Sequence, residues 1–386
     1  MPLSKRILKI DLPPRQSAFL WGPRKTGKTT FLKKTFPDSL TFDFLDTDLV
    51  LELAKRPALL RERILARKPE ELSRPIILDE VQKVPAILDE VHGLIENQGL
   101  SFILCGSSAR KLKRGRANLL GGRAWRYEMF PFVTAEIADF DLLRALNRGL
   151  IPSNYLEDQY RKSLSGYIRD YLKEEVFAEG LTRNVPAFAR FFDAAGYSQG
   201  ELVNFANIAR DTGVDAKTVK EYFQILVDTL LGRMIEPYAK RPGRQIISRA
   251  PKFYFFDVGV AGALTKRQVV EEKGEAFGRA FEHFILMEIA AHASYRDLHY
   301  DIRYWRTKSG LEVDFILGDG EIAVEVKGTG RLDGRDIKSL SVFAEEYHPR
   351  GAILVCNERA ERRVGPIRIM PWRAFLTELW EGRIIG

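Results

Sequence analysis

The residues best equipped for chemistry fall into a few short stretches. Gly22-Pro23-Arg24-Lys25-Thr26-Gly27-Lys28-Thr29 follows the apolar run Ser17–Trp21 and leads into helix-forming sequence. Two glycines, a lysine and a threonine at this spacing make a loop whose backbone N–H groups turn toward nucleotide phosphates, with the positive N-terminus of the next helix behind them. Gly27 lets the chain approach closely. Lys28 is expected to reach the β- and γ-phosphates and the Thr29 hydroxyl to ligate Mg²⁺, so that Gly22 through Thr30 hold ATP or ADP.

Such a loop needs an acidic strand end to complete its metal site. Pro75–Asp79 is an apolar run that ends in the pair Asp79-Glu80. Asp79 is expected to hold Mg²⁺ through water, and Glu80 to orient or deprotonate the attacking water, which points to hydrolysis rather than mere binding. The next apolar run, Phe102–Gly106, ends at Ser107-Ser108. A hydroxyl there, with Ser107 the expected contact, would sense the γ-phosphate and couple hydrolysis to movement.

Another constellation lies far downstream. Residues 311–317 and 321–327 alternate apolar and polar around Gly318-Asp319-Gly320, the pattern of a β-hairpin. Alternation puts Glu325 and Lys327 on one face, with Ile322, Val324 and Val326 on the other, and Asp314 comes next to Glu325 across the hairpin. Paired carboxylates bind one or two Mg²⁺ that polarise a phosphodiester, while a nearby lysine orients water or stabilises developing charge.

The elements that must position these groups change character along the chain. Residues 1–150 alternate short apolar strands with helix-length segments, as in a parallel α/β sheet. Residues 151–270 read as helical, with a helix at 204–210, a turn at 211–214 and a second helix from Asp215, the spacing of a helix-turn-helix. Strand-like runs at 234–240 and 245–256 around Arg241-Pro242-Gly243-Arg244 complete a winged helix. In a DNA-binding version Lys217, Thr218 and Lys220 would face the major groove, with Glu221 limiting that case, while Lys240, Arg241 and Arg244 would touch phosphates or a minor groove. A lid or protein-docking role fits the same pattern. Residues 271–386 return to mixed α and β, so three domains are expected, 1–150, 151–270 and 271–386.

The order phosphate loop, intervening strand, Asp-Glu strand, polar-tipped strand resembles the AAA+ class of ATPases. In that class a neighbouring subunit commonly inserts an arginine at the γ-phosphate. The resemblance implies a ring-like homo-oligomer, with Arg123 the first candidate for that role and Arg110 the second. The downstream hairpin resembles the core of the PD-(D/E)xK nucleases, with Val313 in place of the motif's proline. That resemblance implies a further glutamate on the preceding helix, the place held by Glu282. Glu282, Asp314, Glu325 and Lys327 together resemble the set of archaeal Holliday-junction resolvases, with the three carboxylates as metal ligands. Taken whole, through Ile77–Gln82, Lys252–Gly259 and Glu325-Val326-Lys327, the chain resembles a large prokaryotic family of AAA+ ATPases that carry a winged helix and a C-terminal nuclease-like domain. An ATP-driven DNA-remodelling motor coupled to a Mg²⁺-dependent endonuclease is implied, with branched DNA as its substrate in DNA repair. The alternative is a nucleotide-dependent switch whose nuclease-like domain binds a partner without cutting.

Charge bears on these readings. Of 386 residues, 60 are Lys or Arg and 52 Asp or Glu, a net +8, and 45% are hydrophobic, which excludes a disordered or fibrous chain. Residues 1–150 hold 26 basic and 18 acidic side chains, residues 151–270 hold 17 and 14, and residues 271–386 hold 17 and 20. Between Asn97 and Tyr127 there is no acid, yet Arg110, Lys111, Lys113, Arg114, Arg116, Arg123 and Arg126 all fall there. The positive excess in the first two thirds is expected to face DNA, with the segment 110–126 as the place of contact and Arg110, Lys111, Lys113, Arg114 and Arg116 as the contacts named within it. The two cysteines, Cys105 and Cys356, sit in apolar runs, which excludes a disulfide framework and a zinc site. With no signal or transmembrane pattern in the first thirty residues, a cytoplasmic protein without membrane contact is expected.

Overall fold

The computed structural model describes residues 5–107, 120–171, 184–239 and 250–386. Ser108 and the expected DNA contacts Arg110, Lys111, Lys113, Arg114, Arg116, Lys240, Arg241 and Arg244 lie outside the described residues. Contacts gather the chain into two compact units, Arg6–Pro131 with Asp228–Leu231, and Met1–Lys5 with Phe132–Val227 and Gly232–Gly386.

In the first unit, strands β1 (Ser17–Trp21), β2 (Thr41–Asp43), β3 (Ile76–Asp79), β4 (Phe102–Gly106) and β5 (Ala124–Glu128) form one sheet in the order β2-β3-β4-β1-β5. Every pairing is parallel. Strands β1, β3 and β4 are buried along their whole length, so they read as unbroken apolar runs rather than as alternation. Helices Lys28–Thr35, Thr47–Lys55, Ala58–Leu65 and Ile87–Gln98 supply the crossovers. Phe19, Leu78 and Leu104 from the sheet pack with Leu53, Ile64, Val91 and Leu94 from the helices. The register pairs Trp21 with Gly106 and Leu78 with Leu104, so the ends of β1, β3 and β4 lie together at one edge of the sheet. An open parallel sheet binds ligands at that carboxyl edge.

Strand β5 escaped the sequence reading for a physical reason. It is an edge strand, Ala-Trp-Arg-Tyr-Glu, with no fully buried residue, and it carries no apolar signature.

The second unit opens with the helices Leu142–Arg148, Pro152–Leu156, Tyr160–Tyr171, Val185–Tyr197, Phe205–Thr212 and Ala216–Asp228. Strands β6 (Gly232–Ile235) and β7 (Lys252–Phe255) then pair antiparallel, followed by helices Val258–Leu264 and Gly274–Tyr295. A six-stranded mixed sheet closes the chain. It contains β8 (Ile302–Arg306), β9 (Glu312–Leu317), β10 (Ile322–Lys327), β11 (Gly351–Cys356), β12 (Arg362–Val364) and β13 (Ile367–Pro371) in the order β12-β13-β11-β10-β9-β8. Phe281, Phe284 and Ile285 pack with Val324, Val326 and Val355 on one face of this sheet. Leu340 and Phe343 of helix Lys338–Tyr347 pack with Val313, Ala323 and Leu354 on the other. Among the described residues no helix is long and apolar enough to cross a membrane.

A buried carboxylate pins the first of these layers. Glu288 is 1% exposed, and its oxygens accept from Thr134 N at 2.7 Å, Thr134 Oγ1 at 3.0 Å and Trp380 Nε1 at 2.8 Å. Burial pushes its pKa up to about 7. A carboxyl whose folded pKa is raised stabilises the fold most below its unfolded value and loses that contribution as pH rises through the folded one. The shift corresponds to about 3 kcal/mol lost between roughly pH 4.5 and pH 7. The melting temperature should therefore fall from pH 5 to pH 8, and Glu288→Gln should flatten that fall by its share, as read by calorimetry across the range. An unchanged slope would remove Glu288 as a cause.

Candidate functional sites

The phosphate loop leaves β1 at Trp21 and enters helix Lys28–Thr35 at Gly27, whose φ of 92° lies in the left-handed region that glycine adopts without strain. Gly22 is as tightly constrained, because a Cβ there would stand 2.5 Å from Met129 O. Lys28 is buried, and its ammonium donates to Gly22 O at 2.7 Å and Pro23 O at 3.0 Å. The Thr26 hydroxyl donates to Pro23 O at 2.8 Å. Lys28 thus lies folded back along its own loop, on oxygens that stand in for those of a phosphate. Arg6 was not foreseen: its guanidinium reaches Phe130 O at 2.5 Å and Thr26 O at 3.4 Å, clamping the loop to the chain after β5. Thr30, Lys25 and, in part, Arg24 face solvent.

Across the sheet edge, the Thr29 hydroxyl donates to Asp79 Oδ2 at 2.6 Å. Fifty residues apart in sequence, the two side chains expected to hold Mg²⁺ are brought together at the sheet edge. Glu80 follows with φ 58°, a left-handed backbone that is strained for a glutamate. Gln82 then joins the acidic strand to the polar-tipped one. Its Nε2 donates to Glu80 Oε2 and, at 3.1 Å, to Ser107 Oγ. Gly106 makes room for this amide, since a Cβ there would lie 2.3 Å from Gln82 Oε1. Cys105 is buried beneath, against Asp79 and Lys28, and burial pushes its thiol pKa up, so it stays protonated. A hydrogen bond to a charged group contributes about 1.5–3 kcal/mol. Gln82→Ala should therefore slow ATP turnover roughly ten- to a hundredfold while leaving nucleotide affinity within about twofold, measured by steady-state turnover beside fluorescent-nucleotide binding. Parallel loss of affinity would mean that Gln82 only holds the fold.

Arg123 lies at the start of β5, beside Ser17, at the end of the sheet away from the phosphate loop, and pairs with Glu96. A five-residue strand spans about 16 Å, so Arg123 does not serve the loop of its own chain.

In the second unit, β9 and β10 form an antiparallel hairpin with Leu317 paired to Ile322 and Phe315 to Val324, a register that sets Asp314 opposite Glu325. Gly318 and Gly320, at φ 65° and 83°, make the turn. Asp314 Oδ2 accepts from Val326 N at 2.8 Å, and Glu325 Oε1 pairs with Lys327 Nζ at 2.6 Å. Glu325 Oε2 is buried without a hydrogen-bond partner among the described residues. Burial first, and Asp314 next, hold the Glu325 carboxyl well above its ordinary pKa.

Glu282 takes a different set of partners. Tyr254 Oη donates to Glu282 Oε1, and Lys252 Nζ lies 3.7 Å from the same oxygen while pairing with Glu312, whose other oxygen accepts from Arg306 at 2.9 Å. Burial and then Asp314 push the Glu282 pKa up to about 7. Burial alone would lower the Lys252 pKa, yet Tyr254, Glu282, Asp314 and Glu312 hold it well above the ordinary value. Among the described residues no three acidic, histidine or cysteine side chains gather closely enough to ligate one ion. Asp314 and Glu325 alone fit a Mg²⁺, which is usually held by one or two carboxylates and several waters. The sequence reading missed Lys252, Tyr254 and Glu312, although Lys252 opens the phrase Lys-Phe-Tyr-Phe-Phe-Asp.

In the stretch of sequence between the two sites, Lys217 and Lys220 are exposed on helix Ala216–Asp228 together with Glu221. Asp215 accepts from Lys217 N and Thr218 N, each at 2.9 Å, and Lys220 Nζ lies 5.2 Å from the Phe205 ring centre.

Residues 14–138 match a family model described as an AAA domain. With the parallel sheet, the phosphate loop and the Thr29–Asp79 contact, this region is an AAA-type P-loop ATPase. Residues 139–270 and 277–375 match two models described as domains of unknown function, DUF8612 and DUF4143. Over 345 residues, 87% of this chain, the sequence is 26% identical to an uncharacterized protein of Mycobacterium bovis, covering 73% of that protein. An uncharacterized protein of Mycobacterium tuberculosis matches to the same extent. Among solved structures, the Walker-type ATPase of Pyrococcus abyssi is 13% identical, with 64% of this chain and 90% of that one covered and a TM-score of 0.42.

Proposed function

We propose that this chain hydrolyses ATP to remodel DNA and that its C-terminal region carries a Mg²⁺-dependent phosphodiester-cleaving site. The observation behind the cutting half is the hairpin: Asp314 stands opposite Glu325, Lys327 lies 2.6 Å from one Glu325 oxygen, and the other oxygen is buried without a donor among the described residues. Bound there, Mg²⁺ would polarise the phosphodiester and lower the pKa of the attacking water. Lys327 is placed to steady charge that develops on the phosphate. In the ATPase unit, Lys28 leaves Gly22 O and Pro23 O for the β- and γ-phosphates, Thr29 and Asp79 hold the ion, and Glu80 takes the proton of the attacking water. Arg123, remote from its own loop, serves the site of a neighbouring copy in a ring-like oligomer.

The DNA half rests on charge, since residues 1–270 carry 43 basic against 32 acidic side chains, and on Lys217 and Lys220, exposed on helix Ala216–Asp228, which we read as the second helix of a helix-turn-helix. Branched DNA, as in a Holliday junction, is the first substrate to test. Purified protein with Mg²⁺ should cut or unwind forked or four-way DNA with stimulation by ATP, at a stated salt concentration because phosphate-driven affinity falls steeply with salt. Lys28→Ala should lose the stimulation and Glu325→Ala the cutting. Cutting by Glu325→Ala equal to wild type would sink the nuclease half.

A second reading is favoured by Lys252, an internal cation lodged among the carboxylates. Here the chain is a nucleotide-dependent switch whose C-terminal region binds a partner without cutting. Slow turnover with retained ADP, indifferent to DNA, would support it.

A further inference from the structure

Lys252 enters the carboxylate cluster from β7, outside the six-stranded sheet. It is 3% exposed, its ammonium pairs with Glu312 Oε1, and it lies 3.7 Å from Glu282 Oε1, the oxygen that also accepts the Tyr254 hydroxyl. Glu282 and Glu312 therefore already have a protein cation between them. Glu325 has a cation on one oxygen only: Lys327 holds Oε1, while Oε2 is buried near Asp314 without a donor among the described residues. A carboxylate oxygen left so is costly, and a cation is the partner that relieves it.

Ion pairing separates one ion from two. Lys252 already lies between Glu282 and Glu312, and Arg306 holds the other Glu312 oxygen. A second divalent ion would have to displace Lys252 from these buried partners, whereas an ion between Asp314 and Glu325 displaces no protein cation from the free Glu325 oxygen.

We propose that Lys252 is the second cation of this site, occupying Glu282 and Glu312, so that a single divalent ion is taken between Asp314 and Glu325. The inference rests on the reading of the hairpin as a metal site. Lys252 also brings β7 into that site, so a shift of the β6–β7 pair would alter the charge facing the ion.

The test is an ion count. Full-length protein carrying Thr29→Ala and Asp79→Asn, which removes the ATPase ligands, is titrated with Mn²⁺ without nucleotide, by equilibrium dialysis and electron paramagnetic resonance. The expected result is one ion per chain with an uncoupled spectrum, falling to none with Glu325→Gln. In Lys252→Met, shown folded by circular dichroism, the count should rise to two as Glu282 and Glu312 become available. Two ions, or a spin-coupled pair, in the parent would overturn the role of Lys252 and leave the metal site standing, and this reading needs no Lys252 variant to fold. No ion in the parent would overturn both. A folded Lys252→Met still holding one ion would overturn the inference alone.

Discussion

Glu80→Gln is expected to bind ATP with wild-type affinity and to hydrolyse it roughly 10²- to 10⁴-fold more slowly, the range that a positioned general base contributes. The substitution keeps the size of the side chain and an oxygen able to accept from Gln82 Nε2, so the bridge to Ser107 survives. It leaves Lys28 on its loop and the Thr29–Asp79 contact intact, so the groups that bind phosphate and metal are untouched. Only the capacity to take a proton is lost. Lys28→Ala makes the contrast, because it removes the ammonium aimed at the phosphates and should lose affinity together with turnover. Single-turnover hydrolysis beside nucleotide binding separates the two cases. Hydrolysis by Glu80→Gln at the wild-type rate would show that another group activates the water.

The ATPase site was legible because its chemistry is local. Eight consecutive residues fix the phosphate loop, and Asp79-Glu80 sits at the end of an apolar run that only a buried strand explains. Gln82 was on view in the same phrase, but nothing in its spacing says that its amide turns back to Glu80 and across to Ser107. That follows from the 3-10 turn Val81–Lys83 and from the missing side chain at Gly106. The hairpin was legible through period-two alternation and its glycine turn. Lys252 was not, because it meets Glu282 and Glu312 only once three separate elements have packed, at sequence separations of 30 and 60 residues. Arg123 is expected only from the AAA+ resemblance, as the arginine offered to a neighbouring subunit, and its remoteness from its own loop is a consequence of β5, an edge strand too polar to announce itself.

Asp257→Ala should cost more stability than any surface change in the second unit, about 3 kcal/mol or more, since several buried donors are orphaned at about 1–3 kcal/mol each. Asp257 is 2% exposed. One oxygen accepts from Gly259 N at 2.9 Å and Val260 N at 3.0 Å, capping helix Val258–Leu264. The other accepts from Leu150 N at 2.6 Å and Ile151 N at 3.3 Å, more than a hundred residues away. One carboxylate thus joins a helix start to the turn at Gly149, whose φ is 75° and where a Cβ would lie 2.0 Å from Asp257 Oδ1. Burial still wins over the four donors and pushes the pKa up to about 6. A raised folded pKa means that the wild type gains stability below the unfolded value near 3.8 and loses it as pH rises through 6. The alanine variant has no such gain, so the difference between the two proteins should be larger at pH 5 than at pH 8, read from denaturant unfolding at both values. Gly149→Ala attacks the same junction from the other side, and combined with Asp257→Ala its cost should fall well short of additive, as expected of groups in contact. Full additivity, or a penalty that grows with pH, would mean that the four hydrogen bonds do not act as one junction.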